Sequence, residues 1–117
     1  MEAIVKQIDR DIPRTQPEHE AFKGESLKED LREVLVSYAR FDREVGYVQG
    51  MNFIAATLVY HASSAQEALR VFVEMMVGGE LRRLFLADLS MSRTIAYKLT
   101  AELRRLSFDL YSHMVIL

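Results

Sequence analysis

The chain has no cysteine and no tryptophan among its 117 residues, only two prolines and five glycines, and no long hydrophobic run. Without cysteine it can hold neither a disulfide framework nor a thiolate metal site, which suits a reducing compartment. The most apolar stretch, Phe53 to Tyr60, falls far short of the roughly 20 residues that span a bilayer, so no integral membrane segment is expected. The N-terminus lacks the apolar core and small-residue cleavage pattern of a secretory signal. The expected location is the cytoplasm. Fifteen basic residues against seventeen acidic ones leave a formal charge of −2, with no excess that would draw nucleic acid or an anionic membrane. There is no glycine-rich phosphate loop, so the chain is not expected to hold a nucleotide by itself. His19, His61 and His113 share no ligand spacing, and neither a metal nor another cofactor is expected. No serine and histidine are arranged as a hydrolase triad.

What is present reads as helix nearly throughout. Half of the residues are hydrophobic and about a quarter are charged, as in an ordinary soluble domain, and the length fits one domain over residues 1–117. Ile4, Val5 and Ile8 lie on one face of a short helix that should end near Ile12, because a residue before proline is pushed out of the α region. Leu27, Leu31, Val34, Leu35, Tyr38 and Phe41 step by threes and fours, the stripe of an amphipathic helix. Ser26 followed by Glu29 has capping-box spacing and marks its start, and Gly46 breaks the pattern.

Met51 to His61 is apolar almost all round and should be the buried central helix. Ser64 and Glu67 repeat the capping-box spacing and open another helix, which Gly78-Gly79 ends. A short piece over 80–87 follows, then a longer helix with Ile95, Leu99, Leu103, Leu106 and Leu110 on one face. Met75-Met76 reads as core filling. Arg40, Arg43, Arg82 and Arg83 read first as a solvated face and second as partner contacts. The fold class is all-α, an irregular multi-helix bundle with orthogonal packing. Met114, Val115, Ile116 and Leu117 are apolar with no helix stop signal, so they need covering by further chain or by a partner, and the sequence reads as part of a larger domain.

Two short strings flank the amphipathic helix. In the first, Asp11-Ile12-Pro13-Arg14-Thr15, the arginine falls on a proline-stiffened turn past a helix end, with Asp11 three residues earlier and within reach of it. In the second, Tyr47-Val48-Gln49-Gly50-Met51-Asn52, a glutamine stands between Gly46 and Gly50 at the mouth of the apolar helix, which fits an exposed amide with Tyr47 packed beneath it. Asn52 can bond to the helix start or to a partner. An arginine offers a planar, permanently charged fork for phosphate oxygens, and a glutamine both donates and accepts, as a water beside a phosphate requires. Taken singly, the strings read first as a surface arginine on a turn and a plain loop-to-helix junction, since matches this short arise by accident.

Taken together, Ile8-x-x-Asp11-x-x-Arg14 and Tyr47-x-Gln49-Gly50-Met51-Asn52 resemble the TBC domain, the GTPase-activating domain for Rab-type small GTPases. Leu31 to Asn52, and Leu84-Phe85-Leu86-Ala87-Asp88, look like that family as well. The resemblance implies the N-terminal part of a TBC-type helical domain whose second helical half lies beyond Leu117. It also implies a dual-finger mechanism in which Arg14 stabilises the transferring phosphoryl group and Gln49 replaces the GTPase's own water-positioning glutamine. Asp11 would orient the arginine segment, while Ile8, Thr15, Tyr47, Gly50, Met51 and Asn52 would support the two loops. The partner implied is a GTP-bound Rab-type GTPase of vesicle trafficking, met at the cytosolic face of endomembranes. GTP and Mg would belong to that partner, and the chain would be an activator, not an enzyme by itself. The family's N-terminal arginine-and-tryptophan motif has no counterpart here. Two other readings stand beside this one: a non-catalytic helical adaptor on the same scaffold, and an incomplete domain that is inactive without its C-terminal half.

Overall fold

A computed structural model describes residues 1–15, 23–79 and 81–86. The order along the chain is α1 (Glu2–Asp11), a 3₁₀ turn (Ile12–Arg14), α2 (Glu25–Phe41), α3 (Met51–His61), α4 (Ala65–Val73), a π-helical segment (Glu74–Gly78) and α5 (Leu81–Leu86). Among the described residues there is no strand, as the periodicities require. The helix expected to carry Ile95 to Leu110, and the apolar residues Met114 to Leu117, lie outside the described residues.

The three helices α2, α3 and α4 pack mutually, α1 lies on α2, and α5 follows the π-helical segment. Their shared core takes Leu31, Val34, Leu35 and Tyr38 from α2, Met51, Ile54, Ala55 and Leu58 from α3, and Phe72, Met75 and Met76 from α4 and the segment after it. Tyr38 stands edge-on to Phe72, ring centroids 5.1 Å apart, and both are fully buried. A contact of that kind adds about 1 kcal/mol to what the burial of the two rings contributes. The small residues Ala55 and Ala56 on α3 and Ala68 on α4 are fully buried where the helices approach.

Three local expectations are corrected. The residue that caps α2 is Gly24, with no side-chain cap bond; Ser26 lies inside the helix, so the Ser26–Glu29 spacing does not mark its start. Phe41, the last member of the α2 stripe, is 63% exposed; the helix ends there, and its ring lies tilted to that of Tyr38 with centroids 6.0 Å apart. The central helix is not buried all round: Phe53 and Tyr60, seven residues apart, are 43% and 40% exposed.

Elsewhere the sequence signals hold. Ser64 caps α4 by accepting from the Glu67 backbone N–H at 3.1 Å. The reciprocal arm goes to Ser63, whose hydroxyl donates to Glu67 Oε2 at 2.8 Å. Gly79 closes the π-helical segment, its N–H donating to the Glu74 carbonyl, five residues back. Gly46 has φ of 64°, and a Cβ there would stand 3.0 Å from Ile4 Cδ1. Only glycine both adopts that conformation freely and lets α1 come so close.

Candidate functional site

The chain reaches Arg14 through a change of helix type. α1 ends at Asp11, as expected, but Ile12 keeps helical angles (φ −57°, ψ −49°) despite preceding Pro13. The backbone tightens into a 3₁₀ turn and leaves helical space only at Thr15 (φ −85°, ψ 107°). A tighter turn accommodates the missing proline N–H with fewer bonds to lose than a further α turn would have. Arg14 therefore projects from a short, stiff turn, and its side chain is 64% exposed.

Below it lies a buried carboxylate. Asp11 is 1% exposed. Its Oδ1 accepts from Arg14 Nη2 at 2.6 Å and from Gln7 Nε2 at 3.1 Å, and its Oδ2 accepts from the Tyr47 hydroxyl at 2.6 Å. Burial raises the Asp11 pKa, but the donors from Tyr47, Gln7 and Arg14 together outweigh it, and the net shift is downward. The group is thus ionised at neutral pH, and its bond to the guanidinium is charge-assisted. Tyr47 titrates well above the ordinary tyrosine range, first through burial and then through the adjacent Asp11 charge, so its hydroxyl stays a donor.

The second string is built on two glycines with positive φ, Gly46 at 64° and Gly50 at 113°. They bound a loop in which Gln49 is exposed and from which α3 starts at Met51. Met51 is fully buried and holds the loop from below, its sulfur accepting from the Val48 N–H at 3.2 Å. Asn52 is buried and turned inward: its Oδ1 accepts from the Gly50 N–H at 2.9 Å and its Nδ2 donates to Thr15 Oγ1 at 2.8 Å. The Thr15 hydroxyl in turn donates to the Asp11 carbonyl at 2.7 Å.

Two links therefore sew the strings together, Tyr47 to the Asp11 side chain and Asn52 to Thr15. Ile8, fully buried on α1, anchors the first string in the core. Of the residues singled out by pattern, Arg14 and Gln49 face solvent, Tyr47 is half-buried, and Ile8, Asp11, Thr15, Gly50, Met51 and Asn52 are buried. Of the two roles open to Asn52, the structure selects the helix start, together with Thr15. Among the described residues no group of acidic or histidine side chains is placed to hold a metal ion, and no helix is long and apolar enough to cross a membrane.

Sequence reasoning missed two features. Gln7 was readable, since it lies one helical turn before Asp11 on the same face. Arg82 was not, because its partners lie 38 and 40 residues away. Expected on a solvated face, it instead forks onto Asp42, Nε to Oδ2 at 2.9 Å and Nη2 to Oδ1 at 3.0 Å, and also reaches Glu44 at 2.8 Å. Asp42, 8% exposed, accepts from the Tyr38 hydroxyl at 2.7 Å as well.

Among the described residues, an all-α scaffold thus presents an exposed arginine and an exposed glutamine from two tied loops. Comparison with known proteins places that scaffold: the model of the Rab-GTPase-TBC domain matches residues 1–116. The chain is 35% identical over 110 residues, 94% of its length, to the GTPase-activating protein GYP5 of Eremothecium gossypii. It is 37% identical over 109 residues, 92% of its length, to the Rab GTPase-activating protein eat-17 of Caenorhabditis elegans. It is 48% identical over 82 residues, 68% of its length, to the human ecotropic viral integration site 5 protein homolog. The chain belongs to the Rab-GTPase-TBC domain family. It spans only 13%, 12% and 10% of those three relatives' own lengths. Comparison with solved structures yields no significant match.

Proposed function

We propose that this chain is the finger-bearing part of a GTPase-activating domain, which supplies Arg14 and Gln49 in trans to a GTP-bound Rab-type small GTPase. Two of its relatives carry GTPase-activating proteins in their names. The observation that carries the reading to these residues is that an exposed arginine and an exposed glutamine stand on two loops joined through buried side chains.

Phosphoryl transfer needs positioning and charge stabilisation more than covalent help. Arg14 keeps one nitrogen on Asp11, and its remaining N–H groups extend toward solvent, where they meet the equatorial oxygens of a transferring phosphoryl group. An arginine finger in trans is worth about 10³ to 10⁵ in rate, or roughly 4 to 7 kcal/mol of barrier. Gln49 orients the attacking water, accepting a proton-bearing O–H through its amide oxygen and donating through its nitrogen. Nucleotide and Mg belong to the GTPase, so the chain is an activator of another protein's chemistry. The setting is the cytosolic face of endomembranes during vesicle trafficking, which the chain reaches through its partner.

The test is single-turnover GTP hydrolysis by a panel of Rab GTPases, with and without the chain. Acceleration that collapses on Arg14→Ala and on Gln49→Ala, while both variants still unfold cooperatively, is the expected result. If neither the chain nor a version extended beyond Leu117 accelerates any member of the panel, the reading is wrong. Binding without acceleration favours the adaptor.

A further inference from the structure

We propose that Thr15 and Asn52 form an internal bridge that sets the positions of the two fingers together, so that Arg14 and Gln49 act as one preorganised unit. This rests on the function proposed above and assigns two positioning residues to it. Thr15 is 2% and Asn52 3% exposed, so neither side chain can touch a docked GTPase. Any effect they have on hydrolysis must pass through the residues they hold.

The geometry says which residues those are. Thr15 directly follows Arg14, and its hydroxyl donates to the carbonyl of Asp11, the residue whose side chain grips the Arg14 guanidinium. That single hydroxyl proton is thereby used, so Thr15 Oγ1 can only accept from Asn52, and the Asn52 amide nitrogen must be the end that faces it. The Asn52 oxygen is then left for the Gly50 N–H, which belongs to the peptide group joining Gln49 to Gly50. Fixing that peptide at a residue with φ of 113° fixes the direction in which Gln49 leaves the loop. The donors run one way, from Asn52 nitrogen to Thr15 oxygen to Asp11 carbonyl, and such chains polarise and strengthen each other.

Only a residue that both accepts and donates can occupy the middle of this chain. Serine and threonine qualify, and valine, of nearly the same shape as threonine, does not. A catalytic group displaced by about 1 Å loses on the order of 10² in rate. Loss of the bridge should therefore lower the maximal rate of activated hydrolysis and leave the concentration dependence on GTPase alone.

The experiment compares Thr15→Val, Thr15→Ser and Asn52→Asp with wild type in single-turnover hydrolysis and in NMR of the free chain. Asn52→Asp keeps the oxygen that receives the Gly50 N–H but turns the end facing Thr15 into an acceptor, so the single Thr15 proton can serve residue 52 or the Asp11 carbonyl and not both. It breaks the relay independently should Thr15→Val fail to fold. The expected result is a roughly 10- to 100-fold fall in maximal rate for Thr15→Val and Asn52→Asp, with half-saturation unchanged. Thr15→Ser restores the rate. In the free chain, Thr15→Val moves the Arg14 Nε–H and Gln49 side-chain amide signals together, and Thr15→Ser moves neither. Should the Gln49 amide stay in place when Thr15 loses its hydroxyl, or the maximal rate hold, the bridge is overturned even where Arg14→Ala and Gln49→Ala abolish activation. Should those two alanine variants change nothing, the function itself fails, and the NMR comparison still decides whether the loops are coupled.

Discussion

Two buried aspartates in this molecule do opposite things with the same kinds of partner. Asp11 and Asp42 each accept from a tyrosine hydroxyl and from an arginine. At Asp42 the arginine is used up: Arg82 makes a two-point fork, adds Glu44, and has only 27% of its side chain exposed. At Asp11 the arginine is held by one nitrogen, from three residues away in sequence, and 64% of its side chain is exposed. The first arrangement is a clamp that ties α5 to the end of α2, and the second is a mount. The difference lies in where the arginine starts. Arg82 comes from a helix across the fold and must reach inward, whereas Arg14 sits on a turn beside its carboxylate and points away.

The sharpest way to break the comparison is to remove each arginine. Arg14→Ala should reduce activated GTP hydrolysis by about 10³-fold or more. It also takes the charged donor from buried Asp11, which keeps Tyr47 and Gln7, at a cost of about 1 to 2 kcal/mol in stability. Arg82→Ala should act on stability alone. It leaves a buried carboxylate without its cation, at a cost of about 2 kcal/mol read from urea midpoints, with activation per folded molecule retained.

Replacing the tyrosines separates the two sites more finely. Tyr47→Phe and Tyr38→Phe each take one donor from a buried carboxylate and should each cost about 1 kcal/mol in a denaturant melt. Only Tyr47→Phe should also slow activated hydrolysis, by roughly tenfold, because only Asp11 carries a finger. Equal losses of activation in the two variants would show that both aspartates serve the site.

The smallest effect is in pH dependence. Arg82 is the main cause that holds Asp42 down at about 2, with Tyr38 and the Val45 N–H assisting and burial opposing, against 3.8 for a free aspartate. A depressed carboxylate stabilises the fold above its unfolded pKa, and that contribution is lost as pH falls from about 4 toward 2. Asp11 is depressed too and acts with the same sign. Tyr38, raised first by burial and then by Asp42, and Tyr47, raised first by burial and then by Asp11, take stability away above about pH 10, where the unfolded chain ionises and the folded one does not. Asp42→Asn should be less stable at pH 7 and show a shallower loss between pH 4 and 2 in a urea titration.

How much of this was legible beforehand depended on distance along the chain. The spans of α1, α3 and α4 followed from periodicity, the pre-proline position, the glycines and Ser64, all of which act within a few residues. The start of α2 did not, since Gly24 capped it in place of Ser26, which offered the better side chain. Arg14 and Gln49 were readable as exposed residues on turns because proline and glycine write turns locally. That Ile12 would remain helical before Pro13 was not readable, because burial of Ile12 in the core outweighs a local steric preference. The exposure of Phe41 and Phe53 was equally hidden, since periodicity finds an apolar face but not what covers it.

Among the described residues, the sequence by itself determined that the chain is helical, roughly which segments form the helices, and which two polar residues stand at the breaks between them. These depend on backbone preferences and side-chain spacing, which are properties of neighbours. Only the tertiary structure decided that the two breaks lie side by side. Tyr47 reaches Asp11 across 36 residues and Asn52 reaches Thr15 across 37, and both meetings depend on how α1 and α3 pack around α2. Tertiary structure likewise made one arginine a clamp and left another exposed. A buried carboxylate draws in whatever donors packing brings within reach, and local sequence does not encode which those will be.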